Sequence, residues 1–93
     1  MRYEFIGWCK GDNHDKVWVA IELKQSTWLT VWGRRGSKLQ TKLVYCSHWQ
    51  MQKLINTKQT KGYRGFGKLG LDQVYPDFES DLEKVALWSV LVA

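Results

Sequence analysis

The run Val31-Trp32-Gly33-Arg34-Arg35-Gly36 puts an indole, two guanidinium groups and two glycines into one short stretch. That set suits stacking on a flat ring or sugar and charge-assisted hydrogen bonding to an anion, not the making and breaking of bonds. Around it, Leu23 to Leu71 holds ten Lys or Arg and no Asp or Glu. Ordinary surfaces intersperse the two signs, so an acid-free block of this length points to an anionic partner, and nucleic acid is the expected one. The +5 net charge is an average over a gradient: residues 1–22 carry three bases and four acids, and residues 72–93 carry one base and five acids.

No other chemistry competes. Cys9, His14, Cys46 and His48 lack the paired short spacings of a structural zinc site, so no metal or other cofactor is expected. No Ser/His/Asp or Cys/His spacing suggests a nucleophile and its base, and the protein reads as a non-enzyme with no catalytic residues. Arg64-Gly65-Phe66-Gly67-Lys68-Leu69 partly matches an RNA-recognition signature, but Lys68 stands where an aromatic belongs and the βαββαβ order is missing.

The elements that must position these groups follow from periodicity. Tyr3 to Cys9 has β-compatible aromatic character, and Val17 to Leu23 alternates, with Gly11 to Asp15 between them as a hairpin loop. Thr27 to Trp32 puts Leu29 and Val31 on one face and Trp28, Thr30 and Trp32 on the other. Lys38 to Tyr45 likewise sets Lys38, Gln40, Lys42 and Val44 opposite Leu39, Thr41, Leu43 and Tyr45. After Tyr45 the period changes. Ser47 and Gln50 fit a capping box, Met51, Leu54 and Ile55 follow at helical spacing, and Gly62 is a stop, which predicts a helix over about 47–61. That helix is expected to cover the Leu29 and Val31 face, leaving Trp28 and Trp32 on an open one.

Gly62 to Gly70 reads as a glycine-rich loop, ordered or semi-ordered. Ser80-Asp81-Leu82-Glu83 reads as a second capping box that opens a helix through about Leu91, with a terminal strand as the alternative. The expected fold class is α+β: an antiparallel sheet with one helix on a face, plus a C-terminal helix. Residues 1–71 form the expected domain and 72–93 an acidic-to-apolar extension, packed on the same domain or on a second copy. With six Trp, four Tyr, three Phe and one Pro, the composition is that of a folded chain. No apolar run reaches the roughly 20 residues of a membrane helix. Met1-Arg2-Tyr3-Glu4 lacks the apolar stretch of a secretory signal, so a cytoplasmic setting with reduced Cys9 and Cys46 is expected.

Trp32-Gly33-Arg34 at the end of an aromatic-rich strand, then Gly36 and Gln40, then a helix ending in Lys58-Gln59-Thr60-Lys61-Gly62-Tyr63, resemble the WGR domain over Val17 to Tyr63. That module occurs in DNA-dependent poly(ADP-ribose) polymerases and in small bacterial proteins. The resemblance implies an antiparallel sheet with a packed helix, and DNA binding near strand breaks, with Trp32 as a platform on sugar and Arg34 as an anion contact. Arg35 stands where an apolar residue is common in the polymerases, and Arg64 to Ala93 has no counterpart. The expected interface is therefore Trp32, Trp28, Arg34, Arg35, Lys38 and Lys42, the last four as a phosphate track. The alternative is a protein-interaction or regulatory module using the apolar C-terminal segment, which offers a surface for a homodimer.

Overall fold

Along the central strand, Val17, Trp18, Val19, Ala20 and Ile21 are all buried, so both faces of the sheet at this point are covered. The computed structural model describes residues 2–11 and 13–85, apart from the side chains of 68 and 69. Its elements are β1 (Arg2–Gly11), β2 (His14–Lys24), β3 (Thr27–Arg34), β4 (Gln40–Tyr45), α1 (His48–Thr60), β5 (Arg64–Gly65), α2 (Lys68–Val74) and α3 (Phe78–Glu83). The strands form one antiparallel sheet in the order β4-β3-β2-β1-β5. The α+β class holds, with α1 on the sheet and a short helix near the C-terminus.

The two faces have separate cores. Ile6, Val17, Val19, Ile21, Leu29, Val31 and Leu39 pack with Leu71, Tyr75, Phe78 and Leu82 from α2, α3 and their link. Trp18, Ala20 and Trp28 pack with Met51 and Ile55 of α1. The helix thus covers the face opposite to the expected one. The cause is local: the Trp28 indole N–H donates to the Cys46 carbonyl at 2.9 Å, so the chain leaving β4 is held on the Trp28 side as the helix begins. Burying a Trp removes a large apolar area from water, which favours the same choice. Glu4 of β1 fastens the start of α1, accepting from Gln52 Nε2 at 2.9 Å and meeting His48 Nε2 at 2.7 Å.

The capping box at α1 is present, with the Gln50 N–H donating to Ser47 Oγ at 3.1 Å and the Ser47 N–H to Gln50 Oε1 at 2.9 Å. At the other end Tyr63 N–H bonds the Lys58 carbonyl and Gly62 N–H the Gln59 carbonyl, with Gly62 at φ 108°. This paired closure uses up terminal carbonyls and turns the chain back over the sheet at Tyr63. It continues as β5, so part of the expected loop is a fifth strand (Gly7↔Gly65, Trp8↔Arg64) and part is α2.

Other expectations are also corrected. The β1–β2 pairing runs down to Gly11↔His14, so the hairpin loop is shorter than Gly11 to Asp15. The last described helix opens at Phe78 with Asp77 before it, not at Ser80, because Phe78 is needed in the core. It ends at Glu83, and the apolar segment proposed for a homodimer lies largely at 86–93, outside the described residues. Leu71, Tyr75, Phe78 and Leu82 share one core with the strands, and Val85 packs against it. Among the described residues no helix is long and apolar enough to cross a membrane.

Candidate nucleic-acid interface

Residues directly opposite in antiparallel strands project to the same side, so register assembles the site. On the α1 side of the sheet, Trp18 stands opposite Trp32, Lys16 opposite Arg34, and Thr30 opposite Lys42. Arg34 and Lys42 are exposed, and Lys16 and Trp32 half-buried. The helix brings Lys58 to this end, its Nζ 5.5 Å from the Trp18 ring centroid, and the turn after α1 adds Lys61 and Tyr63.

Two recesses result. One, of about 370 Å³, is walled by Trp32, Tyr63, Val44 and Leu54, with Lys42 and Lys58 at its polar margin and the almost wholly buried Trp18 beneath. The other, of about 250 Å³, is lined by Lys16, Lys58, Lys61, His14 and Cys9, and again by Tyr63. Among the described residues no carboxylate lines either one. Burial pushes the Lys58 ammonium below the usual lysine range, and the charges of Lys61 and Lys16 push the same way. Burial likewise raises the Tyr63 phenol, with a contribution from Cys9.

The sequence-derived set separates in space. Trp32, Arg34 and Lys42 come together as expected. Trp28 does not: it is 0% exposed beneath α1 and supports the sheet. Arg35 is turned away and its donors are occupied, with Nε and Nη2 on Asp15 Oδ2 at 3.2 and 2.9 Å, and Nη1 on the Val74 carbonyl at 2.6 Å. Lys38 precedes β4 and borders a different recess, with Ser37, Asp81 of α3 and Lys84 just after it, so it does not continue the face of Lys42.

Two glycines shape the turn that makes this separation. Gly33 has φ 150° and Gly36 φ 83°, both in the region where a side chain is strained. Ser37 closes the turn on the Arg34 carbonyl through both N–H and Oγ, at 3.0 and 2.6 Å. Arg34 thereby stays on the α1 side, and Arg35 points towards α2.

Lys16, Trp18, Lys58, Lys61 and Tyr63 were not among the expected interface residues. Lys16 lies in the one N-terminal segment whose net charge is negative, which masks it in a charge count. Lys58, Lys61 and Tyr63 belong to the helix end that carries the WGR resemblance, and that was the available signal. Cys9 and Cys46 are free thiols.

No protein-family model matches the chain, and no curated protein or solved structure is significantly similar to it.

Proposed function

We propose that the chain is a non-enzymatic module that binds nucleic acid, DNA for preference, at strand ends or nicks, in a cytoplasmic setting. The observation that carries this reading is the convergence of Trp32 and Tyr63 with Arg34, Lys16, Lys42, Lys58 and Lys61 at one end of one sheet face, with no acid lining the recesses among the described residues. Aromatic rings serve any base or sugar, and the surrounding ammonium and guanidinium groups hold phosphates without reading sequence. The resemblance to the WGR domain supports the same assignment for Trp32 and Arg34.

The test is fluorescence anisotropy with blunt, nicked and uninterrupted duplexes at two salt concentrations. If about four phosphates are neutralised on duplex DNA, log affinity falls against log salt with a slope of about −3.6. Trp32→Ala should weaken binding to nicked and blunt ligands more than to the uninterrupted duplex. Equal losses on all three would remove the end-recognition part, and no binding at low salt would remove the whole reading.

A further inference from the structure

The two recesses share two walls, Lys58 and Tyr63, and differ in character: the first is aromatic and apolar, the second cationic. We infer that together they hold one unpaired nucleotide, its base in the aromatic recess and its phosphate among Lys16, Lys58 and Lys61. This deepens the nucleic-acid reading and rests on it for the ligand's chemistry, but it specifies an unstacked base, where end or nick binding requires only a duplex.

A nucleobase presents flat, weakly charged faces, which suit contact with Trp32 and Tyr63 above Trp18, while Lys42 and Lys58 leave donors at the edge. Entry of a base is possible only when its faces are free. Leu54 and Lys58 of α1 form one side of the recess, so a base still stacked and paired in a duplex cannot reach its floor. Ribose then links base to phosphate across the shared walls. The second recess packs three ammonium groups from β2, the last turn of α1 and its cap, with a His14 ring beside them. Their mutual repulsion is relieved by an anion. The negative end of α1, worth about half a charge, is outweighed by these three cations, and its last carbonyls are engaged by Lys61, Gly62 and Tyr63 N–H groups. Lys58 belongs to both recesses and touches the Trp18 ring, so base and phosphate binding are joined through it.

The chemistry is shared by a free nucleoside monophosphate and by a nucleotide within a single strand, and the ligands chosen distinguish them. The ¹⁵N-labelled 93-residue chain is titrated, by NMR, with adenosine, inorganic phosphate, AMP, a short oligothymidylate and an uninterrupted duplex. Saturable binding of AMP at least tenfold tighter than adenosine or inorganic phosphate, shifting the Trp32 indole and Lys61 amide signals together, supports a site that takes the free nucleotide. The same signals moved by oligothymidylate and not by AMP support a site for unpaired nucleotides within a strand. In either case Lys16→Gln with Lys61→Gln should lower affinity for the responding ligand at least tenfold while the indole spectrum stays that of the folded protein. Unchanged affinity in that variant overturns the inference. So does binding of duplex with no response to AMP or oligothymidylate, an outcome that leaves the nucleic-acid reading standing. No response to any ligand overturns both.

Discussion

Arg35 and Asp15 form a two-point ion pair, Nε and Nη2 both reaching Asp15 Oδ2, and Trp8 Nε1 holds the other carboxylate oxygen at 2.8 Å. The guanidinium also lies 5.4 Å from the Trp8 ring centroid and donates to Val74, so one side chain ties β1, β2, the β3–β4 turn and α2 together. Both partners of the pair are less than a third exposed. Arg35→Ala should therefore destabilise the fold by about 1–3 kcal/mol, the range for charged hydrogen bonds and the groups they leave unpaired. At this chain length that lowers Tm by roughly 4–8 °C per kcal/mol, readable by thermal denaturation. Duplex affinity of the folded variant should change less than for Arg34→Ala. The opposite order would return Arg35 to the interface.

The same network sets an acid limit. The Trp8 hydrogen bond holds the Asp15 carboxyl below its ordinary value, burial opposes this, and the Arg35 bond and charge and the Lys10 charge add to the lowering. A depressed folded pKa gives stability that is present above the unfolded value near 3.8 and is lost as pH falls through the folded one. Thermal melts between about pH 2 and pH 6 should show wild type losing more stability on acidification than Asp15→Asn. Parallel curves would mean that Asp15 is not linked to folding.

Tyr75 sets an alkaline limit. Its phenol is pushed up to about 12, first by burial and then by the Asp81 carboxylate that accepts its hydrogen bond, while a Gly36 backbone N–H works against the rise. Here the folded pKa lies above the unfolded 10, so the stabilisation is complete below pH 10 and disappears as pH rises from 10 towards 12. The shift corresponds to about 3 kcal/mol as an order of magnitude. Tyr75→Phe should cost about 1 kcal/mol at neutral pH, through the lost hydrogen bond, and flatten the alkaline limb of a urea-denaturation series. A limb as steep as that of wild type would locate the alkaline sensitivity elsewhere.

How much of this was legible in the sequence differs by element. The alternation of Val17, Val19 and Ile21 with Trp18 and Ala20 and the Ser47–Gln50 cap were readable because they are local. Which face α1 covers was not, because β3 offers apolar side chains on both sides and the helix pattern does not name its partner. Leu71, Tyr75, Phe78 and Leu82 carried the missing signal: they recur at helical spacing across Pro76, and a second cover for the sheet was implied. Their acidic neighbours drew attention to charge instead. At the site, Trp32 and Arg34 were legible from the motif and Lys42 from charge, whereas strand alternation sets Trp32 on a face free of the helix and it packs instead on the α1 side. Lys16 and Lys58 were not, since forty-odd residues separate them and only the closure of α1 over β2 brings them to one recess.

Trp28 and Trp32 lie on the same strand face and should respond to mutation in opposite ways. Trp28 is fully buried, contacts the α1 core and uses its indole N–H on Cys46, so Trp28→Ala should cost about 3–5 kcal/mol and shift Tm strongly. Trp28→Phe retains most of the packing and loses the hydrogen bond, for a smaller cost of about 1–3 kcal/mol. Trp32 is half-buried at the mouth of a recess, and its truncation removes less packing. Trp32→Ala should lower stability less than Trp28→Ala but weaken nucleic-acid binding by about 1–3 kcal/mol, the worth of one stacked group. Denaturation and anisotropy on both variants separate the effects. A Trp32→Ala protein that loses stability as Trp28→Ala does, yet binds as wild type when folded, would make Trp32 a core residue and leave the interface to the cations alone.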